Sequence, residues 1–175
     1  MYGTPSRFGL NPCCEVVVSG IGMLHEPKNK ILLVEDDTDT QVALTMLFEL
    51  EGFEVITAAD GEEAYLRAVA ESPDLIVTDI NMPKVNGLDL IRLVRADGRI
   101  QGIPIVAMSA VEKQYLNHAM ELGAIAVAQK PIEFDHFLSL IARLVSARHL
   151  RSRSHSSIER RRSHSHSNNN GQTKH

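Results

Sequence analysis

The sequence predicts an α/β domain in which a parallel sheet is covered by helices on both faces. Five short apolar runs, each of strand length, alternate with segments whose apolar residues recur at helical spacing. The run at 75–79, Leu-Ile-Val-Thr-Asp, is nearly all apolar, as is typical of a strand buried on both faces. Short connections and the right-handed preference of strand–helix–strand units then favour one doubly wound domain.

The first strand is predicted over residues 30–35, and it ends in three successive acids, Glu35, Asp36 and Asp37. Apolar residues at helical spacing then predict a helix from Asp39, namely Ala43, Met46, Leu47 and Leu50. Gly52 follows the last of these and is predicted to close the helix.

The second strand is predicted over 53–58, and the helix after it over 62–71. Asp60 lies just before this helix, where an acidic side chain caps free N–H groups. The helix has a narrow packing face of small residues, Ala64, Ala68 and Ala70. Pro73 then leads into the third strand.

The third strand ends at Asp79, and Pro83 and Gly87 enforce a loop after it. A third helix is indicated by apolar residues at helical spacing, Leu90, Ile91 and Val94. A charge at the end of a core strand is costly to bury unless it is paired or metal-bound, so Asp79 is a candidate functional residue.

The fourth strand is predicted over 104–108, before Ser109, and the fourth helix over 112–122, before Gly123. The fifth strand is predicted over 125–128, followed by Gln129, Lys130 and Pro131. A last amphipathic helix carries a clear apolar stripe: Phe134, Phe137, Leu138, Ile141, Leu144 and Val145.

Composition divides the 175 residues into three parts. Residues 29–147 are predicted to fold, while residues 1–28 lack periodicity and are expected to be a loose extension. Residues 148–175 carry seven basic and one acidic residue among Ser, His and Asn, so a disordered basic tail is predicted. With two cysteines, Cys13 and Cys14, and no export signal or membrane span, we expect a cytoplasmic location and no membrane partner.

Polar residues follow the predicted strands at the points where they end. Asp36 and Asp37 follow the first strand, and Asp79 ends the third. Ser109 follows the fourth strand and Lys130 the fifth. Because the carboxyl ends of parallel strands meet at one edge of a sheet, these five side chains are predicted to share a site.

Each of these residues also has a purely structural interpretation. Asp36 or Asp37 can cap the first helix, and Asp79 can cap a turn. Ser109 can form a turn, and Lys130 can be a solvated loop charge. Five such coincidences at the strand ends are less plausible than one shared site.

The residue types indicate the chemistry of this site. Neighbouring carboxylates repel one another unless a cation intervenes, and Mg²⁺ prefers such oxygen ligands. The ammonium group of Lys130 suits a phosphate oxygen. The predicted chemistry is phosphoryl transfer, with Asp79 as the nucleophile that forms an aspartyl phosphate.

Four motifs mark the strand ends: Val34-Glu35-Asp36-Asp37, Thr78-Asp79-Ile80-Asn81-Met82-Pro83 with Gly87, Ser109-Ala110, and Lys130-Pro131. In this order and spacing they resemble the receiver domain of two-component response regulators, over about residues 29–147. The resemblance implies a flavodoxin-like fold with strand order 2-1-3-4-5. It also implies a cis bond before Pro131, a geometry that proline tolerates.

The same resemblance implies roles for the site residues. Asp79 would accept a phosphoryl group from a phosphohistidine of a sensor histidine kinase or phosphotransfer protein. Asp37, Asp79 and the backbone carbonyl of Asn81 would ligate Mg²⁺ directly, while Asp36 would act partly through water. Ser109 would bond a phosphoryl oxygen.

One position departs from the family pattern. In the family, an aromatic residue three positions before the lysine turns inward on phosphorylation and alters the face formed by helix 4, strand 5 and helix 5. This chain has Val127 there, which cannot make the same swing, so the usual coupling is predicted to be missing or replaced. The alternative is that Val127 is simply a core residue of the fifth strand.

We expect a stand-alone switch that binds an unidentified downstream protein or passes the phosphoryl group on. It would be a monomer or a phosphorylation-dependent homodimer, and its phosphotransfer would be self-catalysed rather than that of a classical enzyme. The alternative function is nucleic-acid binding through the basic tail, whose arginines can neutralise phosphates. A metal-dependent phosphatase is disfavoured because Asn81 stands where such an enzyme has an acid.

Overall fold

The computed structural model describes residues 28–110 and 113–148. The predicted N-terminal extension, residues 1–28, lies outside the described residues except for its last residue. The predicted basic tail, residues 148–175, lies outside them except for its first residue.

Five parallel strands form one sheet in the order β2-β1-β3-β4-β5, which confirms the predicted fold class and strand order. The strands are β1 Lys30–Val34, β2 Glu54–Ala58, β3 Leu75–Asp79, β4 Ile105–Ser109 and β5 Ala126–Gln129. All residues of the central strand β3 are buried, as its continuous apolar run predicts.

Helices cover both faces of this sheet. Their bounds are α1 Thr38–Leu50, α2 Gly61–Glu71, α3 Gly87–Ala96 and α4 Lys113–Glu121, and a last helix, α5, is described over residues 134–148. Side chains of α2, α3 and α4 form one core cluster with one face of the sheet, and α1 and α5 form a second cluster with the other. β1 supplies both: Leu32 and Val34 point to the first cluster, Ile31 and Leu33 to the second.

The end of α5 lies at the amino end of the sheet. Arg148 donates a hydrogen bond to the backbone oxygen of Asp74, just before β3, at 3.2 Å. The Asp74 carboxylate in turn accepts from the backbone N–H of Lys30, at the start of β1. The chain therefore reaches residue 148 at the edge of the sheet opposite to the one where the strands end. None of the helices in the described part of the chain is long and apolar enough to cross a membrane.

Arg95, near the end of α3, holds two connections of the fold together. Its guanidinium group donates to the backbone oxygens of Gln101 and Ile103 at 2.7 and 2.8 Å. It also donates to the backbone oxygen of Gly123 through two nitrogens, at 3.1 and 2.8 Å. One side chain thus joins α3 to the loop before β4 and to the turn before β5.

We predict that Arg95→Met lowers the free energy of unfolding by about 1–3 kcal/mol, because these carbonyl groups lose charged donors. Urea denaturation of both proteins measures the difference. Arg67→Met is the control, since Arg67 makes an exposed ion pair with Glu63 one turn away on α2, and such pairs contribute about 0.5 kcal/mol or less. Equal losses in the two variants would contradict the role of Arg95.

Candidate functional site

The site begins where β1 and β3 end next to each other. The two strands run in register from Ile31 opposite Leu75 to Val34 opposite Thr78. The residues that follow these pairs, Glu35 and Asp79, therefore lie side by side at the carboxyl ends of the two strands. Both are buried, with Glu35 2% and Asp79 6% exposed.

Three carboxylates meet at this edge. One oxygen each from Glu35, Asp36 and Asp79 lies within 4.8 Å of the others, and the Asp36 side chain is exposed to solvent. A cluster of hard oxygen donors, open on one side, can hold a divalent cation that keeps some of its waters. The donor chemistry therefore fits a metal such as Mg²⁺.

Lys130 brings a positive charge to the two buried carboxylates. Its Nζ donates to Glu35 Oε2 at 2.8 Å and to Asp79 Oδ2 at 2.6 Å. The Lys130 backbone N–H donates to the Ser109 oxygen at 2.8 Å, and the Lys130–Pro131 peptide bond is cis. The lysine thus follows β5 but reaches across the sheet edge to the last residue of β3 and to the first residue after β1.

Burial and this ion pair set the charges of the site. Burial is the main reason that the pKa of Glu35 lies above its usual value, and the hydrogen bond from Lys130 opposes that shift. Burial alone would lower the pKa of Lys130, but its hydrogen bonds to Asp79 and Glu35 outweigh burial and raise it. The ammonium group is therefore charged at neutral pH.

The loop between β3 and α3 folds closely onto the end of β3. The Asn81 N–H donates to Asp79 Oδ1 at 3.2 Å, and the Gly87 N–H donates to the Ile80 oxygen at 3.1 Å. A Cβ on Gly87 would collide with the Asp79 backbone oxygen, so only glycine allows this approach. The Asp79 carboxylate is thus contacted through one oxygen by Asn81 and through the other by Lys130.

Ser109 ends β4, the strand beside β3. Asp79 lies opposite Met108 in this pair, and the Ile80 N–H donates to the Met108 oxygen at 2.8 Å. Ser109 is fully buried one residue further along. The hydroxyl therefore lies at the same sheet edge as the carboxylate cluster.

Residues 31–142 match the family described as the response regulator receiver domain. The chain belongs to this family. Receiver domains are phospho-accepting signalling switches of two-component systems.

Curated relatives cover the receiver domain but extend beyond it. Transcriptional regulatory protein CpxR of Escherichia coli (strain K12) is 37% identical over 121 residues, which are 69% of this chain and 51% of CpxR. Protein RcaC of Microchaete diplosiphon is 31% identical over 122 residues, which are 68% of this chain and 19% of RcaC. The chain therefore spans about half or less of the length of these relatives.

Solved structures match the described domain over nearly their whole length. The N-terminal domain of an uncharacterized protein from Wolinella succinogenes is 35% identical, with a TM-score of 0.63, and covers 72% of this chain and 98% of its own. Chemotaxis response regulator CheY4 of Vibrio cholerae is 27% identical, with a TM-score of 0.62, and covers 67% of this chain and 98% of its own. Both are similar to this receiver domain in fold.

The structure places Asp37 at the N-cap of α1, whereas the carboxylate cluster contains Glu35. Asp37 is the N-cap of α1, and its Oδ1 accepts from the Thr40 N–H at 2.8 Å. Hydrogen bonds from the Thr40 side chain and backbone lower the pKa of this carboxyl. Glu35 instead joins Asp36 and Asp79 in the cluster. The predicted ligand set named Asp36, Asp37 and Asp79, and the observed cluster contains two of these acids together with Glu35.

A sequence signal for Glu35 does exist. β1 ends at Val34, so Glu35 is the first residue beyond the strand, and a helix that begins at Thr38 needs a capping side chain at Asp37. The capping interpretation considered for Asp36 or Asp37 therefore holds for Asp37.

A shallow groove lies beside the cluster and includes an aromatic residue that the sequence reasoning did not single out. Its lining includes polar atoms of the site and apolar side chains: Asp36, Asn81, Met82, Pro83, Leu88 and Tyr115. Tyr115 on α4 is 43% exposed.

Val127 lies in β5 and packs against the core cluster that includes side chains of α3 and α4. This position agrees with the interpretation of Val127 as a core residue of the fifth strand.

We predict that Asp36→Asn weakens Mg²⁺ binding by about tenfold or more, whereas Asp37→Asn changes it by less than about twofold. Asparagine caps a helix as well as aspartate does, so Asp37→Asn leaves α1 intact. Isothermal titration of Mg²⁺ into each protein measures both effects. A loss in Asp37→Asn equal to that in Asp36→Asn would restore Asp37 as a ligand.

A second prediction concerns pH in the absence of metal. Because its pKa is raised, folded Glu35 keeps its proton at pH values where the unfolded chain has lost it, so stability falls as pH rises from about 4.3 through the raised pKa. Glu35→Gln does not titrate. The unfolding free energy of the wild type minus that of Glu35→Gln should therefore decrease with pH, as measured by urea denaturation in EDTA. A difference that rises with pH would contradict the shift.

Proposed function

We propose that this receiver domain is a phosphorylation switch in which Asp79 accepts a phosphoryl group from the phosphohistidine of a sensor histidine kinase or phosphotransfer protein. The observation that carries the proposal is the contact of Asp79 with Lys130, beside the cluster that includes Glu35 and Asp36. A nucleophilic carboxylate, an ammonium group and a set of metal-binding oxygens are the groups that phosphoryl transfer requires.

Mg²⁺ is the metal we propose for the cluster, and when bound it offsets negative charge on the phosphoryl oxygens. Asp36 and Asp79 would hold it together with the backbone carbonyl of Asn81, and Glu35 lies close enough to contribute directly or through water. This set keeps three of the predicted ligands and replaces Asp37 by Glu35.

The residues of the chain have distinct tasks in the transfer. An oxygen of Asp79 forms the new bond to phosphorus as the bond from phosphorus to the histidine nitrogen breaks, and the imidazole leaves with the bonding electrons. Lys130 offsets the charge that develops on the phosphoryl oxygens, because its ammonium group already lies at the Asp79 carboxylate. Ser109, buried at the end of β4, is proposed to donate its hydroxyl to a phosphoryl oxygen.

The output is proposed to be a contact with another protein or onward phosphotransfer, by a monomer or a phosphorylation-dependent dimer. Residues 29–147 are the proposed domain, and the family match at 31–142 supports these bounds. The coupling is proposed to work without an aromatic residue at position 127, where the partly buried Val127 packs against the core cluster. Location in the cytoplasm stays a prediction from the sequence.

We predict that acetyl phosphate with Mg²⁺ adds one phosphoryl group to the wild type and none to Asp79→Asn, because an amide is not a nucleophile for this reaction. Intact-mass measurement reads the modification directly. Lys130→Met should be labelled at least about tenfold more slowly, since it removes the only cation hydrogen-bonded to Asp79 among the described residues.

Asp89→Asn is the matched control for this experiment. Asp89 is an acid in the first turn of α3 whose carboxylate pairs with Arg92 and is not a member of the carboxylate cluster, so its variant should be labelled like the wild type. Labelling of Asp79→Asn to the wild-type extent would overturn the assignment of the acceptor.

A further inference from the structure

The loop that carries Asn81 is held from outside by the start of α2. Lys84, in the middle of this loop, donates from Nζ to Asp60 Oδ2 at 2.6 Å. The Asp60 side chain is largely buried at 12% exposure, while the Lys84 side chain is 71% exposed. The pair joins two connections of the fold, before α2 and before α3, that are 24 residues apart in the chain.

The Asp60 carboxylate is fixed by other bonds, which makes it a firm anchor for Lys84. Its Oδ1 accepts from the N–H groups of Glu62 and Glu63, at 3.1 and 2.9 Å, as the N-cap of α2. The second oxygen is the one that accepts from Lys84. Because one oxygen is held by the helix, the other has a defined direction towards the loop.

The same two segments also touch through their backbones. The Gly61 N–H donates to the Val85 oxygen at 2.9 Å. A Cβ on Gly61 would come within 2.7 Å of that oxygen and of Val85 Cγ1, so the contact has no room for a side chain. The loop after Pro83 therefore packs directly on the first residue of α2.

Lys84 adopts a backbone conformation that needs such support. Its φ is +61°, in the left-handed region that residues with a side chain rarely adopt. Lys84 is one of two residues other than glycine with positive φ in the described part of the chain. A strained backbone conformation in a loop persists only when surrounding contacts hold it. For Lys84, the ion pair between its side chain and Asp60 is such a contact.

We propose that Asp60 and Lys84 form a positioning pair that sets the placement of the 80–86 loop, and through it the placement of Asn81 at the metal site. Asn81 is held to Asp79 by its N–H and is proposed to offer its carbonyl oxygen to Mg²⁺. Neither Asp60 nor Lys84 is assigned a ligand role. The inference rests on the proposed function, because it takes the metal site at Asp79 as given.

The direction in which Mg²⁺ affinity changes on substitution of Asp60 and of Lys84 distinguishes a positioning role from a purely electrostatic one. If only charge mattered, removal of the Lys84 charge would strengthen binding of a cation nearby, and removal of the Asp60 charge would weaken it. If the pair positions the loop, both substitutions weaken binding, because each frees Asn81 to move. Asp60→Asn keeps an oxygen that can cap α2, so it removes the pair and spares the helix.

The test is isothermal titration of Mg²⁺ into the wild type, Asp60→Asn, Lys84→Met and the double variant. We expect each single variant to bind Mg²⁺ about threefold or more weakly, as is common when a group that supports a ligand is lost. The double variant should bind no more weakly than the weaker single variant, because both changes break the same pair. Lys84→Arg, which can still reach Asp60 with a charged donor, should restore most of the affinity.

Arg67→Met is the matched control. Arg67 pairs with Glu63 on the same helix at the same 2.6 Å and is not a member of the Asp60–Lys84 pair, so Mg²⁺ affinity should stay at the wild-type value. Urea denaturation in EDTA confirms that each variant is folded. If Lys84→Met fails to fold, Lys84→Gln supplies the answer, because it also removes the charge and the ion pair and should weaken binding where charge alone predicts stronger binding.

Two results would overturn the inference, and they differ. Wild-type affinity in Asp60→Asn and Lys84→Met, or opposite changes in the two, would remove the positioning role and leave the proposed function standing. Absence of Mg²⁺ binding in the wild type, together with absence of phosphoryl labelling, would overturn the proposed function and the positioning pair with it.

Discussion

The double hydrogen bond from Lys130 to Glu35 and Asp79 is the interaction on which the rest of the site depends. Two carboxylates buried side by side at the ends of adjacent strands would be strongly destabilising without a positive charge between them. The charge comes from a residue 51 positions after Asp79 and 95 after Glu35 in the chain. It therefore requires that β5 be in place at the far side of the sheet, and the site exists only in the completed fold.

In this arrangement the charges of the buried carboxylates are only partly compensated, so a bound cation or anion would change the contacts of the site. The raised pKa of Glu35 shows that Lys130 compensates its burial only in part. A metal ion among the carboxylates would add to the compensation, and a phosphoryl group would compete with Asp79 for the ammonium group of Lys130. Because the Lys130 backbone N–H also donates to the Ser109 oxygen, a displacement of this lysine would act on the ends of β4 and β5 together.

The sequence was sufficient for the fold and for most of the site because both depend on strand ends. Buried strands must be apolar, so the five runs stand out, and a polar residue at the end of a run, such as Asp79, is placed by the sheet itself. The exact end of β1 could not be read from the sequence, because it is followed by three successive acids. The residue types do not say which of these acids faces Asp79 and which caps α1, so the position of Glu35 in the cluster was not predicted. The Asp60–Lys84 pair and the position of Tyr115 were out of reach for another reason. They depend on distances between loops and helices, which no local pattern encodes.

The contact between Arg148 and Asp74 has a practical consequence for how this protein is handled. It anchors the end of α5 at the amino edge of the sheet, on the far side of the domain from Asp79. A fluorophore on Ala147, which is exposed in the last turn of α5, would therefore be attached at that far edge. Such a label would report on the domain from the end of the sheet opposite to the carboxylate cluster, without covering it.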